Sequence, residues 1–146
     1  MFLEEIFPTP IWGFDLDVDV DSIKYWCYSC MKENPGRVIS NVGGWQSEDY
    51  REFGNTPLTE LVLYIVKESH NIANDIGIPK GDRWIENLWI NINPKYSYNQ
   101  VHVHPEARLS GVFYVSAPEK SGDICFTRPN GSVSYTHLRA HETTEH

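Results

Sequence analysis

The stretch Trp84-Ile85-Glu86-Asn87-Leu88-Trp89-Ile90-Asn91-Ile92-Asn93 decides the fold class. Successive side chains of an extended chain point to opposite faces, so a period of two marks a strand. On that period Trp84, Glu86, Leu88, Ile90 and Ile92 share one face, and Ile85, Asn87, Trp89, Asn91 and Asn93 share the other. Large apolar groups alternate with amides on the second face, which suits the inside of a polar-lined barrel better than a dry core. Downstream, Leu109–Ala117 and Ile124–Thr127 read as further strands, and Pro118–Gly122 between them carries the turn residues of a hairpin. Upstream the period is helical. Thr56 is a good N-cap, Pro57 suits the first helical position, and Gly77 is a C-terminal stop, so Pro57–Ile76 is predicted helical. Leu58, Leu61, Val62, Ile65, Ile72 and Ile76 form its apolar stripe, and His70 falls off that stripe as a surface histidine. A second helix is expected from Asp21 or Ser22 to Glu33, ended by Asn34-Pro35-Gly36. A short strand is expected around Ile11–Phe14, after an extended lead-in, and a loop across Arg37–Ser47. Helices first and strands after give a mainly β fold with N-terminal helices, in an α+β order or a β-sandwich with helices packed outside.

The chain has 146 residues, the size of one domain. Its 20 carboxylates against 12 Lys and Arg leave a net charge of −8, which argues against nucleic acid as a partner because phosphate binding needs a basic face. A hydrophobic share of 40% separates it from disordered segments, which cannot bury enough apolar surface to fold. No apolar run approaches the roughly 18 residues of a membrane span, and Met1–Asp15 lacks the features of a signal peptide. The expectation is a soluble cytoplasmic protein with no membrane partner. Cys27, Cys30 and Cys125 are sparse and odd in number, as reduced thiols are and secreted disulfide frameworks are not.

The chemistry-bearing run is Asn99-Gln100-Val101-His102-Val103-His104-Pro105. In an extended chain His102 and His104 project side by side, and two neutral imidazoles can take adjacent positions on iron, copper, zinc or nickel. The plainer alternative is a pair of polar residues on a strand edge. Trp26-Cys27-Tyr28-Ser29-Cys30 offers a C-x-x-C, but inside a predicted helix rather than at its start. Two part-buried thiols are therefore the expectation there, with no catalytic disulfide. Neither Gly43-Gly44 nor Gly77-x-x-x-Gly81 has the spacing of a phosphate-binding loop.

Several blocks together resemble a family of 2-oxoglutarate- and iron(II)-dependent oxygenases found in phages and bacteria. They are Pro10-x-Trp12, Ser40-Asn41-x-Gly43-Gly44-Trp45-Gln46-Ser47, Trp89-x-Asn91, Asn99-x-x-His102-x-His104-Pro105, Ser110-Gly111-Val112-Phe113-Tyr114-Val115 and Gly122-x-Ile124-x-Phe126. The resemblance spans about residue 8 to residue 129, and its most specific parts are the Gly-Gly-Trp-Gln-Ser and His-x-His-Pro blocks. It implies a double-stranded β-helix, a jelly-roll with helices buttressing one sheet. It also implies an Fe(II) cofactor with 2-oxoglutarate as cosubstrate, and hydroxylation of a small-molecule or protein substrate that the sequence does not identify. His102 carries over as the first metal ligand. His104 stands where the superfamily generally has a carboxylate, which leaves a more neutral site or one assisted by an acid such as Glu106. Tyr114 resembles the tyrosine that hydrogen-bonds the cosubstrate carboxylate, with a core aromatic as the equal alternative. Asn91 is a weaker candidate for a polar contact in the same interior.

A distal histidine and a basic residue for the far carboxylate of 2-oxoglutarate are also implied. Only 44 residues follow His102, and Arg128 and His137 stand too soon after it to be those counterparts. About four or five strands are countable where a jelly-roll has eight, so an incomplete member is expected. Val133–Thr143 resembles translated adapter sequence, which divides the chain into a domain at 1–131 and a non-native tail at 132–146. Two other functions remain open. One is a cupin-like metal protein, although Glu106 follows the pair by two residues rather than three or four. The other is a noncatalytic β-sandwich interaction module, a phage accessory protein in which the histidines are incidental.

Overall fold

A computed structural model describes residues 9–79 and 85–127, and the backbone of 136–138. Trp84, Gly81, Arg128, the start of the lead-in and most of 132–146 lie outside the described residues. Two helices, α1 (Val20–Glu33) and α2 (Leu58–Asp75), occupy the N-terminal half. Six short strands follow the chain as β1 (Asn41–Val42), β2 (Trp45–Gln46), β3 (Asn91–Ile92), β4 (Tyr98–Asn99), β5 (Ile124–Phe126) and β6 (Thr136–Leu138). They form three two-stranded antiparallel sheets, β1–β4, β2–β3 and β5–β6. The described residues are thus two helices with small antiparallel sheets, a β-containing arrangement in which no strand is shared between sheets.

Both helices start and stop for local reasons. Asp19 caps α1, its Oδ1 accepting from the Ser22 amide at 3.0 Å and its Oδ2 from the Ser22 hydroxyl at 2.6 Å. These bonds hold the Asp19 carboxyl below the usual carboxylate range. The helix therefore begins slightly ahead of the expected Asp21. At α2 the Thr56 hydroxyl accepts from the Leu58 amide at 3.3 Å, and Pro57 already has helical dihedrals. Its far end is a Schellman closure: the Ile78 amide donates to the Ala73 carbonyl at 2.8 Å and the Gly77 amide to that of Asn74 at 3.3 Å. Gly77 sits at φ +72°, the left-handed position where a side chain is strained.

The core lies between the helices and the 88–92 segment. Ile23 and Cys27 from α1, Leu58 and Leu61 from α2, and Ile90 form its buried cluster. Leu88 and Ile92 pack against it, as do Val62 and Ile65 of the expected stripe, whereas Ile76 is exposed beyond the end of α2. The Leu88-Ile90-Ile92 face is thus the core side, and the opposite face carries Trp89 and the asparagines.

Four expectations are corrected. Arg37–Ser47 is not a plain loop. It supplies β1 and β2, which run antiparallel to 88–100, with Asn41 opposite Asn99 and Trp45 opposite Ile92. Further pairing extends the ladder, from the Ser47 amide to the Ile90 carbonyl (3.0 Å), between Tyr50 and Leu88 in both directions, and from the Gln100 amide to the Ser40 carbonyl (2.7 Å). Gly44 makes this possible, since a Cβ there would strike the Asn93 side chain and lie 3.1 Å from the Ile92 carbonyl. Secondly, the strand expected to end at Asn93 is regular only at Asn91–Ile92, because Ser47 Oγ intervenes as acceptor for the Ile90 amide (2.9 Å). Thirdly, Leu109–Ala117 is not a strand and makes no hairpin. Phe113 and Val115 turn to the core while Val112 and Tyr114 face outward, so the alternation survives without a paired backbone. The Pro118–Gly122 turn is present, closed by the Ser121 amide on the Pro118 carbonyl at 3.0 Å, but β5 pairs instead with β6 inside the 132–146 stretch. Finally, Ile11–Phe14 has no regular strand, and the apolar contacts of the lead-in come from Leu16 and Val18. Among the described residues no helix is long and apolar enough to cross a membrane.

Candidate metal centre

The 100–104 segment follows β4 without regular secondary structure, and residues 101–104 are exposed. Its two imidazoles are neighbours, with ring centroids 4.8 Å apart and planes at 87°. The two rings are held differently. His102 donates from Nδ1–H to the Gln100 carbonyl at 2.7 Å, which leaves its Nε2 lone pair free. Gln100 is itself fixed, its amide bound to the Ser40 carbonyl. His104 receives no hydrogen bond among the described residues. Its ring instead packs against the Trp89 indole, with centroids 5.5 Å apart and planes tilted by 40°. Burial lowers the His104 pKa and the neighbouring His102 lowers it further, both favouring the neutral ring that a metal ligand needs.

Beneath the pair lies a hydrogen-bonded amide network. The Asn99 amide side chain donates to Ser40 Oγ at 3.2 Å, and that of Asn93 donates to Asn99 Oδ1 at 2.8 Å. Asn41, buried, donates to the carbonyls of Arg37 (3.1 Å) and Gly44 (2.9 Å) and accepts from the Ile39 amide (2.9 Å). The Asn99–Ser40 bond, with the Gln100 amide on the Ser40 carbonyl, ties this segment to β4, while the Asn41 bonds brace the 37–44 turn internally. Sequence reasoning missed the roles of Ser40, Asn41, Asn99 and Gln100. The density of Ser and Asn at 40–41 and 91–99 was a signal, but nothing in one strand's pattern shows its partner strand.

The other candidates are not gathered with the pair. Asn91, opposite Gln46 in the β2–β3 ladder, and Tyr114, 43% exposed, make no hydrogen bond or ring contact with either imidazole among the described residues. Partial burial and the Asp123 carboxylate push the Tyr114 hydroxyl pKa up, so it stays protonated and able to donate. No three of the His, Cys, Asp and Glu side chains come together among the described residues, so Glu106 does not complete a metal cluster with the histidines. A cleft of about 500 Å³ is lined by Tyr28, Met31, Arg37, Trp45 and Asn93 among others and by none of the four predicted site residues.

The C-x-x-C thiols lie on α1 as expected. Cys27 is buried in the core, and that burial, with Cys30 beside it, pushes its pKa up to about 11. Tyr50 packs on Trp26 with ring centroids 5.4 Å apart. Its hydroxyl is pushed up to about 12 by burial and a hydrogen bond with Cys30. A thiol held protonated in this way is not a nucleophile at neutral pH.

Residues 87–146 match the family model described as "Putative 2OG-Fe(II) oxygenase". That stretch holds His102, His104, Asn91 and Tyr114, and over it the resemblance read from the sequence is borne out. The Gly-Gly-Trp-Gln-Ser block lies ahead of the matched stretch, and the match runs on through the residues expected to be a tail. No curated protein and no solved structure matches the chain.

Proposed function

From a segment of the 2-oxoglutarate/Fe(II) oxygenase family that carries two adjacent imidazoles, we propose a hydroxylase that holds Fe(II) and 2-oxoglutarate and acts on a small-molecule or protein substrate. The observation that carries this reading is the His102–His104 pair, its ring centroids 4.8 Å apart and one ring with its tautomer set by a backbone carbonyl. Neutral nitrogen donors on one side of an extended chain suit a divalent transition metal, so the donor set fits the group. His102 offers Nε2 and His104 a second imidazole nitrogen. Tyr114, which touches neither imidazole among the described residues, would donate to a cosubstrate carboxylate, and Asn91 would offer a further amide. When bound, Fe(II) with 2-oxoglutarate supplies the O2 activation that hydroxylates a C–H bond. The chain's own contribution is to hold ligand nitrogens in fixed orientation and to set the exposed face that a substrate meets. We propose the jelly-roll, a cytoplasmic location and residues 1–131 as the N-terminal part of that jelly-roll together with this reading.

The test is anaerobic Fe(II) titration followed by 2-oxoglutarate turnover measured as succinate release. With two imidazoles only, this chain should bind iron weakly, and His102→Ala should weaken it further with the fold retained by circular dichroism. In a version supplied with the distal histidine and basic residue that the resemblance implies, His102→Ala should reduce turnover to background, and failure of that version to bind iron or 2-oxoglutarate would move the reading to the noncatalytic interaction module.

A further inference from the structure

The two imidazoles of the candidate centre are oriented by unlike means, and the difference assigns a role to a residue with no lone pair to give a metal. Histidines that ligate metals almost always donate their second N–H to a carbonyl, carboxylate or water, which fixes the ring and its tautomer. His102 does so through Gln100. His104 has no such bond among the described residues, and its ring is bounded by two other rings, the His102 imidazole at 4.8 Å and the Trp89 indole at 5.5 Å. Both separations lie within the range of about 4.5–7 Å over which aromatic pairs attract. Trp89 is well placed to be rigid. It sits between Leu88 and Ile90, which pack on the helices, with the Ile90 amide tied to Ser47 Oγ and the Leu88 backbone paired to Tyr50. Its backbone is therefore anchored to the core while its side chain occupies the opposite face.

We propose that Trp89 is the positioning residue of His104. Ring packing restricts the imidazole's rotation as the Gln100 carbonyl restricts that of His102. The assignment rests on the reading of the histidines as a metal pair for its purpose, and on the indole–imidazole contact alone for its geometry. Without the indole the His104 ring keeps only the His102 imidazole as a neighbouring ring, and its donor nitrogen is less well pre-set.

The experiment compares wild type with Trp89→Phe, Trp89→Leu and Trp89→Ala. In metal-free protein, the His104 ring proton shifts are read by NMR. The wild-type shifts should carry a ring-current displacement that Phe keeps in part and that Leu and Ala abolish. With Co(II) as the probe metal, Leu and Ala should weaken binding roughly 10–100-fold, the range seen when an outer partner of a metal ligand is removed, while Phe stays close to wild type. Bound Co(II) should also quench indole emission, and Trp89→Phe should remove most of that quenching without the matching loss of affinity. If Trp89→Ala fails to fold, the comparison of Phe with Leu, an aromatic against an aliphatic side chain, still decides. His104 shifts unchanged in Trp89→Leu would overturn the proposal. Wild-type Co(II) binding with Leu and Ala equally tight would overturn it too, and would leave the metal-pair reading standing. Ring-current shifts as expected in a wild type that binds no Co(II) would instead support the contact and sink the metal-pair reading.

Discussion

The half-buried pairing of Arg37 with Asp49 shows how single side chains brace the 37–50 segment against itself beside the ladder. Asp49 is held below the usual carboxylate range, first by the Arg37 hydrogen bond, with Asn87 and Arg51 adding smaller contributions against the cost of burial. A carboxyl with a depressed folded pKa contributes stability that is present above its unfolded value near 3.9 and is lost as pH falls through the lower folded value. Asp49→Asn should therefore cost about 1 kcal/mol at pH 7, between the worth of an exposed pair and that of a charge-assisted hydrogen bond. The deficit should shrink in urea titrations run at progressively lower pH below 4. At this scale the sequence was most informative about chemistry. The adjacency of His102 and His104 follows from i, i+2 spacing alone, whereas Trp89 beside His104 joins two segments whose meeting no local pattern encodes.

Elements were legible where one segment's own residues decide them. The Thr56–Pro57 start and Gly77 stop of α2 are local signals, and Gly77→Ala should cost about 1 kcal/mol because a Cβ is strained at φ +72°. Thermal unfolding would measure it, and no effect would mean that the Schellman closure contributes nothing. Strands were less legible because a ladder is decided by two segments. Period-two alternation put Leu88, Ile90 and Ile92 on one face, which the structure shows to be the core side; Phe113 and Val115 turn to the core as well, although the 109–117 segment has no ladder. Conversely β1 and β2, interrupted by Gly43-Gly44, have no alternation long enough to read. Gly44→Ala should be the more damaging glycine change. The added methyl meets Asn93 and the Ile92 carbonyl, where overpacking costs about 1–3 kcal/mol. It should also shift the amide resonances of 91–100 in an NMR spectrum, since that segment must move to make room.

At the scale of the whole molecule the buried apolar cluster is small, and Leu61 is 3% exposed at its centre. Leu61→Ala should lower stability by about 2–5 kcal/mol, the usual range for such a truncation, which a denaturant melt would register as an earlier midpoint. The same cluster encloses the Cys27 sulfur, and this turns a packing residue into a clock. With its pKa near 11, Cys27 is almost wholly protonated in the closed molecule and sealed from reagent. Alkylation must then wait for an opening event, so its rate is the intrinsic rate of a solvated thiol multiplied by the fraction of time the core stands open. Comparing that slow phase with the fast labelling of exposed Cys125 gives an opening free energy from one time course without denaturant. A ligand that favours the closed state should lengthen the Cys27 half-life in proportion to its saturation while leaving the Cys125 phase untouched.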